Sequence, residues 1–269
     1  MKYLESAIKF LIKNWILAVP LFVLVALGTL LGGSTNTLAN LTQLQNSFGS
    51  VGSLTSPDKM LSALPSILPA FAVGGGFLVL LFNFVAIPAT YGLVNKSLDT
   101  GSASLNDIGA AVSQNFVKYV MYFIGTIVVC LALGVASVII LLIFGALSAL
   151  IKPLIVLTVL IGIALALAII VFMVLLSMWL SAMVVDGLDV VAAAKKSIEV
   201  VRSCFWTVLG ISILVSIACG IAGWILGWLG VIPLLGRIII SIVPTAQTFI
   251  MLVFYLVVYR EKTGRLSNL

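Results

Sequence analysis

Residues 119–147 read YVMYFIGTIVVCLALGVASVIILLIFGAL, and no charged side chain interrupts them. A bilayer's hydrocarbon core is about 30 Å thick and needs about 20 apolar residues at 1.5 Å each, so this run is long enough to cross one. A surface helix of a soluble protein would carry a polar face along such a length, and none is present. Lys152 and Pro153 come next, a charge and a helix breaker where the chain must leave the hydrocarbon. A second charge-free run then returns from Pro153 to Val185. The whole chain of 269 residues repeats this character, with 62% hydrophobic and 8% charged residues against about 25% charged in an ordinary soluble domain. The expected fold class is an all-α, polytopic membrane helix bundle.

Four more runs complete the count. The first extends from Trp15 to about Gly32, behind Lys2, Lys9 and Lys13. That layout is also the layout of a secretory signal peptide. The run is longer than the usual apolar region of a signal, however, and no clean small-x-small cleavage site follows, so a retained first span is expected. The second covers roughly 67–94, the fifth 205–231 and the sixth 238–259. Between the first two lies the longest polar insertion, 33–66. In it Leu38, Leu41, Leu44, Phe48 and Val51 recur at helical spacing, and Ser56, Pro57 and Asp58 form a helix-start signal.

Six spans put both termini on one side. With that side cytoplasmic, eleven lysines and arginines fall inside and only Lys59, Lys152 and Arg237 outside, which is the positive-inside pattern. The expected location is the plasma membrane, multi-pass, with both termini in the cytoplasm. The net charge of +6 is therefore an orientation signal and not a nucleic-acid surface.

Residues 186–206, DGLDVVAAAKKSIEVVRSCFW, hold Asp186, Asp189, Lys195, Lys196, Glu199 and Arg202 between two apolar runs. On a helix, Val191, Ala194, Ile198, Val201 and Phe205 fall on one side and the charges on the other, with Asp189 as N-cap. The N-terminus repeats the device, with Leu4, Ile8, Leu11 and Trp15 opposite Glu5, Lys9 and Lys13; residues 105–120 repeat it more weakly. The chain then reads as three hairpins, 1–104, 105–188 and 189–269, each preceded by an amphipathic interfacial helix, with the outer loop in the first and a cytoplasmic tail on the last. The charged helix at 186–206 lies on anionic headgroups, or it docks a membrane or cytoplasmic protein through Asp186, Lys195, Lys196, Glu199 and Arg202.

Histidine is absent, which removes the commonest general base and metal ligand together. Cys130, Cys204 and Cys219 lie in or beside apolar runs without CxxC spacing and read as small buried apolar residues. No charge stands at the middle of any span, where one costs at least about 2.5 kcal/mol and survives only for a function. No enzyme activity, metal or cofactor is expected. The polar, uncharged residues in the broken second and sixth spans, Asn83, Tyr91, Thr245 and Gln247, are the expected lining of any ligand site. Their ordinary alternative is helix packing.

The segments PATYGLVNKSLDTGSASLNDIGAAV at 88–112 and MWLSAMVVDGLDVVAAAKKSIEVVRSCFWTVLG at 178–210 carry a resemblance. They are similar to a broad group of poorly characterised six-span bacterial and archaeal membrane proteins that includes the membrane domain of some glycerophosphodiester phosphodiesterases. The shared pattern is an acidic residue after a span, then AxxxSxxxxxxxFW, here Asp186, Ala193, Ser197, Phe205 and Trp206. The phosphodiesterase domain, with its histidine and carboxylate metal site, has no counterpart in this chain. Two functional readings stand: an accessory or scaffold protein linked to lipid or envelope metabolism, and a transporter or permease for an uncharged or amphipathic small molecule or lipid.

Overall fold

The computed structural model describes residues 2–31, 76–150, 154–232 and 235–265, and the described residues are helical throughout apart from short turns. The helices are α1 (Lys2–Lys13), α2 (Val19–Leu31), α3 (Gly76–Thr100), α4 (Ile108–Leu150), α5 (Leu154–Leu175), α6 (Trp179–Asp186), α7 (Val190–Arg202), α8 (Phe205–Gly227), α9 (Leu235–Ile240) and α10 (Ile242–Lys262). The expected helix in the outer loop lies outside the described residues.

Four stretches are long and apolar enough to cross a membrane: Leu105–Ser148, Leu154–Asp186, Phe205–Gly227 and Leu235–Lys262. A fifth arises if Ala7–Lys13 and Trp15–Gly28, which meet at 94°, count as one. The expected second span enters the described residues only as α3, whose last two turns carry Asn95, Lys96 and Asp99.

Local chemistry explains most of the breaks. Asp189 caps α7 by accepting from the Ala192 N–H at 3.2 Å. Gly187 closes α6 in the left-handed region at φ 65°, where a Cβ would be strained. Pro88 sits inside α3 without ending it, as membrane helices tolerate. Pro244 stands in the first turn of α10, where a missing N–H has little to lose.

Three expectations need correction. The weaker amphipathic helix at 105–120 is not a separate element, because it runs without interruption into α4, one helix of 43 residues. At 1.5 Å per residue that is about 65 Å, twice a hydrocarbon core, so much of it stands outside the apolar layer. The fourth span is interrupted at Leu176–Met178, dividing it into α5 and the short α6. The buried face of α7 is also turned from the expected one: Val201 is buried as expected, but so are Ala193, Ser197 and Val200, while Ala194 and Ile198 are only partly covered and Val191 is exposed.

That turn of α7 and the interruption of the fourth span are one feature. Ser197 donates its hydroxyl to the Leu175 carbonyl at 2.8 Å and accepts from the Met178 N–H at 3.2 Å. A broken helix in an apolar setting leaves backbone groups without partners, each costing several kcal/mol in a bilayer. Ser197 supplies both partners. A small hydroxyl must therefore face inward at this position, and Ala193 one turn earlier lets the helices close.

The packed core occupies one end of the bundle. It is built from Leu17 and Leu21, Leu93 and Val94 of α3, all of Trp179–Val184 in α6, Val208, Ile211 and Val215 of α8, and the second half of α10, including Phe249, Phe254, Leu256 and Tyr259. The C-terminal ends of α3, α6 and α10 meet here. Among the described residues, α5 buries no side chain, and neither does α4 beyond Tyr119. Of the cysteines only Cys204 is buried in protein; Cys130 is exposed on the outer length of α4 and Cys219 is intermediate.

Candidate functional site

α10 presents Gln247, Thr248, Met251, Leu252 and Tyr255 at i, i+1, i+4, i+5 and i+8, a single helical stripe. This stripe forms one wall of a cavity of about 410 Å³. α3 contributes Ile87 and Tyr91, one turn apart; α4 contributes Tyr119 and Tyr122; α6 closes the floor with Leu180. The volume falls within the usual range for small-molecule sites, and the cavity is open on one side.

Its chemistry is aromatic and amphipathic, with no charged group among the lining residues. Four tyrosines converge, and a tyrosine offers an apolar ring and a polar tip together. The rings are held by their neighbours: Tyr119 packs edge-on to Phe84 at 5.5 Å, and Tyr122 edge-on to Trp179 at 5.5 Å. Trp179 is fixed in turn, its indole N–H donating to the Val190 carbonyl at 2.8 Å. Gly125 makes room for that indole, since a Cβ there would lie 2.9 Å from the ring. Gln247 donates to the Ser216 hydroxyl at 3.3 Å, outside the lining, and so ties α10 to α8.

Two of the four expected lining residues, Tyr91 and Gln247, meet in this cavity. The other two do not. Asn83 lies about two turns earlier on α3 and is not part of the lining. Thr245 is buried, and its hydroxyl donates to the Ser241 carbonyl of its own helix at 2.7 Å. Sequence inspection missed Tyr119, Tyr122 and Tyr255. Their signal was present, because YVMY at 119–122 puts two tyrosines on one face just inside an apolar run, at interfacial depth.

A second, polar cavity of about 330 Å³ lies beside the C-terminal turns of α3 and the first turns of α4. Lys96 pairs with Asp107 at 2.7 Å across its rim, and Asp107 also accepts from the Ser104 N–H at 3.0 Å, fixing the α3–α4 turn. Asp99 pairs with Arg260 at 2.7 Å. Arg260 is only 4% exposed and also donates to the Asn95 side-chain oxygen at 2.8 Å.

The expected docking residues separate in the same way. Asp186 does not stand free for a partner. It accepts from the Tyr259 hydroxyl at 2.5 Å and forms an ion pair with Arg265 at 2.9 Å, and its side chain is mostly covered. Lys195, Glu199 and Arg202 are exposed on the outer face of α7, with Lys196 paired to Glu199 at 3.1 Å. Cys204, at the α7–α8 junction, is buried, and burial pushes its thiol pKa above the ordinary value. Among the described residues no group of three metal-ligating side chains comes together.

Residues 2–259 match a family described as a domain of unknown function, DUF7847. The chain belongs to this family. The match covers nearly the whole DUF7847 protein and carries no link to glycerophosphodiester phosphodiesterases. No curated protein and no solved structure matches it.

Proposed function

We propose that this protein is a six-span, non-enzymatic membrane protein that takes an uncharged or amphipathic molecule into the tyrosine-lined cavity, as a transporter or lipid-handling protein of the plasma membrane. The observation that carries the reading is the convergence of Tyr91, Tyr119, Tyr122, Tyr255 and Gln247 from three helices on one open cavity.

The membrane setting supports it. Trp206 is 80% exposed near the start of α8, and Trp224 and Trp228 are 71% and 72% exposed near its end. Trp206 and Trp224 are separated by about 27 Å along the helix axis, close to the thickness of a hydrocarbon core. Exposed indoles favour the two interfaces. On this reading both termini are cytoplasmic, in keeping with the eleven-to-three distribution of basic residues. The accessory reading draws on one observation, the exposed charged face of α7 formed by Lys195, Glu199 and Arg202.

Binding of diacylglycerol to the purified full chain, followed by native mass spectrometry, tests the proposal. One equivalent should bind, and Gln247→Leu and Tyr122→Ala should each weaken it about fivefold or more, corresponding to one lost polar or aromatic contact. Retention undiminished in both folded variants would remove the cavity from the account.

A further inference from the structure

The polar and the tyrosine-lined cavities follow one seam between α3, α4 and α6. Asp107, just before α4, and Ala111, Asn115 and Lys118 on α4 line the polar cavity, and Tyr119 and Tyr122 line the aromatic one immediately beyond. On α6, Val184 lines the first and Leu180, one turn away, the second. On α3, Gly92 and Tyr91 divide in the same manner. The two spaces are therefore stacked along the helices, with polar groups at the end where charged residues gather and aromatic groups toward the apolar length.

The polar cavity is lined by two cations, Lys96 and Lys118, and two carboxylates, Asp99 and Asp107, and Arg260 reaches Asp99 from outside the lining. Asp99 and Asp107 are engaged by Arg260 and Lys96. Lys118 lines the same cavity, is partly covered, and has no ion-pair partner among the described residues. It is the last charge on α4 before the apolar run from Tyr119 begins, which is headgroup depth. An amine at that depth, beside a polar space, is an attractive partner for a phosphate, which carries strong acceptors and negative charge. Gln114 lines the same space and adds an amide donor.

We infer that the two cavities form one bipartite site for a phospholipid, with the phosphate at Lys118 in the polar cavity and part of an acyl chain against the tyrosines. The inference rests on the ligand-binding reading above and names the class of ligand. The aromatic cavity holds only a segment of a chain, and its open side leaves the remainder in the bilayer. α3 and α4 approach closely where Gly92 lies against Ala111 and Asn115, all three in the lining of the polar cavity.

The test compares phosphatidic acid with diacylglycerol of identical chains, titrated onto the full chain in detergent and read by native mass spectrometry. Inorganic phosphate serves as a competitor. Phosphatidic acid should bind about tenfold tighter than diacylglycerol, the effect of one charge-assisted contact. Lys118→Gln should erase that preference while leaving diacylglycerol binding unchanged, and Lys118→Arg should keep it. Equal binding of the two lipids in the unmodified protein would overturn the inference and leave the cavity reading standing. Displacement of the preference by millimolar inorganic phosphate would make the polar cavity a free-phosphate site and overturn it as well. Failure of both lipids to bind would remove both readings together.

Discussion

The two ends of this bundle are made from nearly the same amino acids and behave oppositely. α5 and the outer length of α4 are almost purely aliphatic, yet no described side chain of theirs is fully buried, and Leu131, Ile155 and Val156 are each more than 60% exposed. α6 and the second half of α10 are no more hydrophobic, yet nearly every side chain there is buried. In lipid, apolar side chains have no reason to prefer one another to acyl chains, so hydrophobicity does not decide which surfaces meet. What distinguishes the packed end is small residues, hydroxyls and a few charges placed to be satisfied: Gly92, Ser197, Asp99, Asp186 and Arg260.

That contrast can be broken most sharply at Ser197. Ser197→Ala removes the hydroxyl without adding bulk and leaves the Leu175 carbonyl and Met178 N–H unpaired, with an expected loss of about 2–5 kcal/mol from two buried orphan groups. Thermal unfolding in detergent should show it, and an unchanged midpoint would mean that the break in the fourth span is satisfied some other way. Next in size is a pair of glycines. A Cβ at Gly92 would sit 2.7 Å from Ala111 Cβ and from Asn115 Nδ2, whereas one at Gly145 on the outer length of α4 meets nothing within 4 Å. Gly92→Val should cost about 1–3 kcal/mol through overpacking. Gly145→Val should cost nothing measurable, and equal effects would erase the distinction between the two ends.

The charges come third. Asp99→Ala strips buried Arg260 of its carboxylate, and because Asp99 is half exposed and Asn95 still accepts, about 1–2 kcal/mol is expected, less than for a fully buried pair. Adding Arg260→Met should restore most of that loss, since an apolar replacement of a buried pair is often neutral. A double variant as unstable as the sum of its parts would argue against a coupled pair. Smallest is the aliphatic surface: Ile163→Ala, on the exposed face of α5, should shift stability by less than about 0.5 kcal/mol in lipid.

Much of the helical layout was legible because spans announce themselves by length. The all-helical class, the positions of α5, α8 and α10 and the Asp189 cap follow from apolar runs and capping chemistry alone. The fusion of residues 105–120 into α4 was not legible, since an amphipathic pattern looks the same whether or not the helix bends afterwards. Nor was the break at Leu176–Met178, because no proline or glycine marks it; its cause, Ser197, stands twenty residues downstream. Of the candidate site, Tyr91 and Gln247 were readable as polar residues in interrupted spans. Tyr119, Tyr122 and Tyr255 were passed over because a tyrosine at an interface ordinarily needs no explanation, and only the tertiary arrangement shows that they converge. Arg260 was counted as one more cytoplasmic charge. Its burial follows from Asn95 and Asp99 ending α3 at the same level, which no local window reveals.

The central claim is that the space between α3, α4 and α10 is a ligand site and not a packing defect. A cryo-EM structure of the full chain in phospholipid nanodiscs tests it most directly. The account predicts elongated density against Tyr91, Tyr122 and Gln247, running along the seam toward Lys118. A cavity closed by inward movement of α10 onto α4, with no density between them, would contradict it.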